Sequence, residues 1–303
     1  MITGLEVSGT LTDQPQHVPV MPAEIVEWLA PRPGDIVCDG TLGGGGHTRL
    51  LAAAVGDGGD VIAMDRDPAA IAAAEQNLRG LPVKLVQGNY CDLPEVLKQL
   101  EIETVRAILL DLGLSSDQLA DRRRGFSFDS EGDLDLRFNP EEGEPAWRML
   151  ERLSQEDLAN VIYQYGEERY SRRIAREVVS RRRENPVRTA SQLAEVCRRC
   201  VPRSRGGHTI DPATRTFQAM RIAVNEELKW VEVALRRLPG CLNRGGRIAV
   251  ISFHSLEDRL VKNAFRDDER LRVLTKKPLT PTEEEVAVNP RSRSAKLRVA
   301  ERN

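Results

Sequence analysis

Between Asp35 and Asp67 the chain reads DIVCDGTLGGGGHTRLLAAAVGDGGDVIAMDRD, and no other stretch limits the fold as tightly. Ile36, Val37 and Cys38 are a short apolar run that stops at Asp39 and a glycine-rich turn, the pattern of a buried parallel strand ending at the rim of a sheet. Gly40, Gly43, Gly44, Gly45 and Gly46 leave that turn without Cβ atoms, so its backbone can take positive φ and approach a ligand closely. Thr48, Leu50, Leu51 and the alanines then open a helix whose first N–H groups favour an anionic group over the turn. A second apolar run, Val61 to Met64, ends in Asp65, about 20 residues past the glycines, where a nucleotide-binding βαβ unit places its ribose acceptor. The glycines do not spell a strict GxGxxG, and a tight turn beside a capped helix, with Asp65 on a solvated edge, is the purely structural alternative.

The remaining chain extends the same alternation. His17 to Ala30 is a lead-in and a helix with Ile25, Val26 and Leu29 inward, ended by Pro31 and Pro33. Asp67 as N-cap and Pro68 at the first helical position open a second helix after the glycine loop. Val83 to Val86 and Ala107 to Leu110 read as third and fourth strands, the former ending near Tyr90 and the latter at Asp111-Leu112-Gly113, with a helix from Leu93 to Leu100 between them. Ligands of such sheets bind beyond the carboxyl ends of the strands, so Asp39, Asp65, Tyr90 and Asp111 are expected to cluster. Tyr90 is either an aromatic that lies on a flat base or a cap on the core.

The next strand, Arg247 to Ser252, follows more than 130 residues after Asp111, far more than one crossover needs, so the interval holds an inserted domain. We expect 1–115 and 214–303 to form one α/β unit and 116–213 a mainly α-helical insertion. Helices are predicted over Ser154 to Tyr165 and Tyr170 to Arg183, and behind a capping box at Thr189 to Gln192. Phe217, Met220, Val224, Leu228, Val231, Leu235 and Leu238 step by three and four, which predicts one crossover helix that stops at Pro239-Gly240. After the fifth strand come FHSLEDR and a helix through Phe265, and then Arg272 to Leu274 and Lys296 to Val299 as a closing hairpin that adds an antiparallel edge. The loop Asn289 to Ser294 between them is basic, and no internal repeat is present.

Composition excludes several classes. With 40% hydrophobic and 30% charged residues and no apolar run near the roughly 18 residues of a membrane span, a cytoplasmic globular protein is expected, with no membrane role. The five cysteines, Cys38, Cys91, Cys197, Cys200 and Cys241, are odd in number and scattered, as reduced thiols are. Cys197 and Cys200 make a lone CxxC in a helical pattern, read as two thiols on a packed face rather than as zinc ligands; no metal is expected. The net charge of -2 hides segregation: from Arg169 to Arg205 twelve arginines face three glutamates, a local balance of +9. That stretch is either a phosphate-binding surface or a solvated helix face.

A dinucleotide and S-adenosylmethionine would share this opening. An acid just before the glycines, Asp39, and a strand ending in Asp111 suit a cofactor with an ammonium to hold better than one with a pyrophosphate. The blocks DGTLGGGGH, AMDRDP, LLDLGLSSDQL, RGFSFDSEGDLDLR, YGEERYSRRIAR, PATRTFQAMRIAVNEEL, SFHSLEDR and NPRSRSAKLR then resemble, in order, those of the RsmH (MraW) family of bacterial 16S rRNA cytosine-N4 methyltransferases, from about His17 to Arg302. The resemblance implies a class I Rossmann-like S-adenosylmethionine methyltransferase sheet carrying a helical substrate domain. It implies methylation of the N4 amine of a decoding-centre (P-site) cytidine in 16S rRNA of the small ribosomal subunit, an RNA-binding activity in ribosome biogenesis with no DNA partner. Tyr90 stands where relatives often have phenylalanine, and the stretch from Lys276 to Glu285 is shorter than in some members, which reduces a substrate loop there.

By the same resemblance the cofactor contacts fall on Gly45, Gly46, His47, Asp65, Tyr90, Asp111 and Gln118. The turn from Asp111 through Ser115 and Ser116 occupies the place where many amine-modifying relatives carry an Asp/Asn-Pro-Pro-aromatic turn, so Asp111, Ser115 and the turn's carbonyls are candidate catalytic groups. His254 is a further candidate, against the alternative of a histidine satisfied by Ser252, Ser255 or Glu257. Arg172, Arg173, Arg181, Arg182, Arg183, Arg291 and Arg293 are the candidate RNA-phosphate contacts. Two other classes stay open: an NAD-dependent oxidoreductase and a non-catalytic RNA-binding assembly factor. Oligomeric state is open as well, with a homodimer as one option.

Overall fold

The computed structural model of the protein describes residues 19–130, 132–202 and 211–303. The polar N-terminal segment with His17, and Arg203 and Arg205 of the basic stretch, lie outside the described residues. Seven strands form one sheet: β1 (Ile36–Asp39), β2 (Asp60–Asp65), β3 (Val83–Gln87), β4 (Val105–Asp111), β5 (Leu242–Ser252), β6 (Leu271–Val273) and β7 (Lys296–Arg302), in the order β3-β2-β1-β4-β5-β7-β6. The first five are parallel, and β7 runs antiparallel to both β5 and β6. The closing hairpin is present, but its second strand enters the sheet first. Leu297, Val299 and Ala300 of β7 are fully buried, whereas three-residue β6 buries only Leu271, so the longer apolar strand takes the inner place.

Both faces of the sheet are covered, which is why its strands read as unbroken apolar runs. On one face Cys38, Ile62, Met64, Ile108, Leu110 and Val250 share a core with the later helices; on the other Val37, Val61, Ala107, Leu109, Ala249 and Ile251 pack against the first two. The helices preceding β4 are α1 (Pro22–Leu29), α2 (Gly46–Val55), α3 (Pro68–Asn77) and α4 (Leu93–Gln99). α1 buries Ile25 and Leu29, while Val26 sits at the edge of that face. Asp67 caps α3 by accepting the Ala69 N–H at 3.0 Å, with Pro68 at the first position as predicted.

The insertion is helical: α5 (Ser116–Ala120), α6 (Ala146–Arg152), α7 (Gln155–Gly166), α8 (Ser171–Arg181) and α9 (Ala190–Cys200). Thr189 and Gln192 make the predicted capping box on α9. Cys197 and Cys200 are buried in the lobe's apolar core, where burial pushes the Cys197 thiol up to about 12.

The predicted single crossover helix is two, α10 (Thr214–Asn225) and α11 (Glu227–Arg237), broken at Glu226, whose φ is +50°. Its apolar stripe serves two cores: Phe217 and Met220 pack in the helical lobe, Val231 and Leu235 under the sheet. One straight helix cannot face both. Asn225 pins the break, its amide donating to the Leu136 carbonyl at 2.7 Å while its side-chain oxygen accepts the Phe138 N–H at 2.7 Å. The lobe's core therefore draws on residues beyond position 213. The chain then continues through β5 to α12 (Ser255–Asp267) and α13 (Glu283–Val288), and no helix among the described residues is long and apolar enough to cross a membrane.

Candidate cofactor and active site

A cavity opens over the carboxyl ends of β1, β2, β4 and β5. The glycine loop forms one wall. Gly45, the N-cap of α2, has φ +78°, and the Gly43 N–H donates to the Asp65 carboxylate at 2.9 Å. At Gly40 the constraint is space, since a Cβ there would fall 2.6 Å from Leu110 Cδ2 and 2.9 Å from Tyr90 Cβ. Asp65 also accepts the Asp67 N–H at 2.9 Å. Burial dominates those two bonds and lifts its carboxyl from 3.8 to about 6.

Asp65, Tyr90 and Asp111 line the cavity together, as the topology predicted, but Asp39 does not. Asp39 is fully buried one layer below, its carboxylate accepting the Thr48 hydroxyl at 2.6 Å and the Thr41 N–H at 3.1 Å. The first acid of the motif thus ties the loop to α2 and does not line the cavity, its side chain being turned inward. Tyr90 packs against the sheet core, as one of its two readings had it, and also lines the cavity.

His47, on the first turn of α2, is 5% exposed, with Nε2 3.5 Å from Asp111 Oδ2. Burial alone would lower its pKa, but the Asp111 carboxylate outweighs this and raises it. Both ring nitrogens and Asp111 Oδ1 have no hydrogen-bond partner among the described residues. Buried polar atoms left in that condition are costly, which marks this corner as one completed by a polar ligand.

The turn after β4 forms the opposite wall. Ser115 caps α5 by accepting the Gln118 N–H at 3.1 Å, and Gln118 Oε1 in turn accepts the Ser115 N–H at 3.2 Å. Gln118 Nε2 donates to Asp67 at 3.1 Å, so this side chain lines the cavity while committed at both ends. Asp67 also pairs with Arg124, which donates in addition to the carbonyls of Arg137 and Phe138 at 2.7 Å each. That cluster ties the residue two past Asp65 to a lobe segment whose Phe138 reaches the cavity.

The predicted basic residues divide. Arg172, Arg173, Arg183 and Arg293 are exposed. Arg181 is paired with Glu177 at 2.8 Å, and Arg182 is turned inward to the carbonyls of Leu150 and Leu153 at 2.9 and 2.5 Å, where it closes the end of α6. Arg291 lines the cavity and donates to Ser116 Oγ at 2.5 Å. His254 is the N-cap of α12: its Nδ1 accepts the Glu257 N–H at 3.3 Å, and Nε2 lies 3.1 Å from Glu257 Oε1. Of the partners in the alternative reading Glu257 is the one His254 meets, with only Nδ1 hydrogen-bonded, and Glu257, not His254, is on the cavity wall.

Phe138, Glu227 and Phe253 on the wall were not singled out from the chain, and Glu257 only as a partner for His254. Only the glutamates left a trace there, as acids at helix starts next to apolar positions. Their convergence depends on helix packing that spacing does not reveal.

Residues 14–303 match the model of the MraW methylase family. The chain is 55% identical over 306 residues to a protein of Rhodopirellula baltica named ribosomal RNA small subunit methyltransferase H, covering 97% of this chain and 94% of that one. It is 50% identical over 287 residues to the protein of the same name from Deinococcus deserti, covering 94% and 93% of the two chains. A third relative of that name, from Trichlorobacter lovleyi, is 46% identical over 306 residues and covers 94% and 98%. With nearly the whole chain matched, the protein belongs to the MraW methylase family, whose methyl donor is S-adenosylmethionine.

Proposed function

We propose that the protein methylates the exocyclic N4 amine of a decoding-centre (P-site) cytidine in 16S rRNA of the small ribosomal subunit. The relatives' names support small-subunit rRNA as the substrate class. The observation that carries the reading is one cavity bounded by the glycine loop and Asp65, by the turn from Asp111 to Ser116, and by Phe138 of the helical lobe.

The residues fit S-adenosylmethionine. The unpartnered Asp111 Oδ1 suits an ammonium, the N-terminus of α2 a carboxylate, Asp65 a pair of ribose hydroxyls, and the Tyr90 ring an adenine face, with Gly45, Gly46, His47 and Gln118 completing the surround. Bound there, the cofactor supplies an activated methyl group. The protein's own task is alignment and exclusion of water, which is where most of the rate advantage of such a transfer arises. Cytosine N4 is a weak nucleophile because its lone pair is shared with the ring. Asp111, the Ser115 hydroxyl and carbonyls of the turn border the place where the amine would sit, and acceptors for its hydrogens draw the nitrogen toward tetrahedral geometry and stabilise the charge it gains. His254 is a candidate to act at the base through its contact with Glu257.

A cytidine in folded RNA must be splayed out to enter the cavity. Arg172, Arg173, Arg183 and Arg293 are exposed and suited to hold the flanking phosphates; Arg291 fits a phosphate nearer the mouth. Incubating the enzyme with labelled S-adenosylmethionine and small subunits that lack the modification, then mapping the labelled base, tests the reading. Label on a cytidine N4 of 16S rRNA supports it. Absence of transfer with tight RNA binding would instead favour an assembly factor, and heat of binding with NAD but none with S-adenosylmethionine would favour an oxidoreductase.

A further inference from the structure

Two carboxylates on the cavity wall are left unused by the alignment described above. Glu227 opens α11 and Glu257 lies in the first turn of α12, and they are 6% and 1% exposed. Their oxygens and the His254 ring come within 4.8 Å of one another. Each is held rigidly from behind. Arg221 donates Nε and Nη2 to the two oxygens of Glu227 at 2.8 and 2.9 Å. Glu257 Oε2 accepts the N–H groups of Phe253 and His254 at 2.9 and 3.3 Å. His254 takes a backbone bond on Nδ1 and so carries its proton on Nε2, which lies close to Glu257 Oε1 but off the line a hydrogen bond requires. Two carboxylates thus meet at one guanidinium, with the His254 ring beside Glu257.

Buried carboxylate oxygens that face a cavity keep lone pairs which are costly to leave empty unless a donor arrives from the cavity side. A metal ion would have to displace a bidentate guanidinium from Glu227. A neutral amine needs only the remaining lone pairs. We infer that Glu227 and Glu257 together receive the 4-amino group of the target base, selecting an amino-pyrimidine over a keto-pyrimidine and aiming the nitrogen at the methyl donor. This rests on the substrate reading given above. The discrimination has a repulsive half: a uracil would present its 4-carbonyl oxygen to carboxylate oxygens, with no hydrogen to share. Accepting both amine hydrogens also withdraws the lone pair from the ring, which prepares it to attack.

The test measures binding of the full-length protein, saturated with S-adenosylhomocysteine, to small-subunit RNA carrying cytidine, uridine or 2-pyrimidinone at the methylated position. The wild-type protein should prefer cytidine to both others by about tenfold to a hundredfold, the range expected for bonds to a charged acceptor. In Glu257→Gln and Glu227→Gln that preference should shrink toward unity. kcat/KM for methyl transfer should fall by a similar factor, while S-adenosylhomocysteine affinity, which also reports folding, stays within about twofold. Equal binding of the three RNAs by the wild-type protein overturns the inference without any variant. So does an undiminished preference in both variants. Loss of S-adenosylmethionine but not S-adenosylhomocysteine affinity would assign the carboxylates to the sulfonium, and a melting temperature raised by Mg²⁺ or Mn²⁺ only in the wild-type protein would assign them to a metal; either overturns it. Should the wild-type enzyme place no methyl on any cytidine N4, the substrate reading itself has failed and the inference falls with it.

Discussion

Asp65 offers the sharpest quantitative test. Its rise from 3.8 to about 6 means that keeping the buried carboxylate ionised at neutral pH costs about 3 kcal/mol relative to water. Because the folded protein holds this proton more tightly than the unfolded chain, the group adds nothing adverse below pH 3.8; its destabilisation grows as pH rises and is complete above about 6. A cofactor whose ribose hydroxyls donate to the carboxylate reverses that preference. Affinity should therefore be level above about pH 7 and fall by about tenfold between pH 7.5 and pH 5, with a proton released on binding near pH 6. His47 titrates nearby, its pKa raised by Asp111 despite burial, so the Asp65 share is the difference between wild-type protein and Asp65→Asn. The variant keeps an acceptor for only one of the N–H groups of Gly43 and Asp67 and loses the charge, which should weaken binding by about tenfold to a hundredfold at pH 7.5. Calorimetric titration with S-adenosylhomocysteine in buffers of differing ionisation heat reads both affinity and proton release. A flat wild-type affinity from pH 7.5 to 5, or an unchanged pH slope in Asp65→Asn, would refute the assignment of Asp65 to the ribose.

Four other outcomes can be checked independently. Arg124→Met leaves Asp67 buried with Gln118 as its remaining side-chain donor and strands the carbonyls of Arg137 and Phe138, so thermal unfolding should show a loss of about 3–5 kcal/mol. Gly40→Ala forces a methyl against Leu110 and Tyr90, and should cost about 1–3 kcal/mol and weaken cofactor binding together, both visible in ligand-dependent melting. Replacing Arg172, Arg173 and Arg183 by Gln should flatten the plot of log affinity for rRNA against log salt by roughly 0.7 to 0.9 for each phosphate no longer neutralised, whereas Arg182→Gln should lower stability instead. His254→Ala removes the N-cap of α12 at about 1 kcal/mol and should also slow turnover on the ribosomal substrate; turnover at the wild-type rate would exclude the residue from the chemistry.

Much of this protein is written locally in its chain. Apolar runs that stop at an acid or a glycine, with helices of matching period between them, specify parallel strands buried on both faces, and hence a site along their carboxyl ends holding Asp65, Tyr90 and Asp111. The caps at Asp67, Thr189 and Ser154 are equally local, each a side chain bonding its own next turn. Periodicity states that a face is buried but not what buries it. The stripe from Phe217 to Leu238 is real, yet only packing shows that its two halves serve different cores and that the helix must break at Glu226. The inward turn of Asp39, the inner position of β7, the withdrawal of Arg182 and the meeting of Glu227 with Glu257 belong to the same class. Each is decided by contacts between elements far apart in the chain, because the energy of a buried charge depends on the partners brought to it and not on its neighbours in sequence.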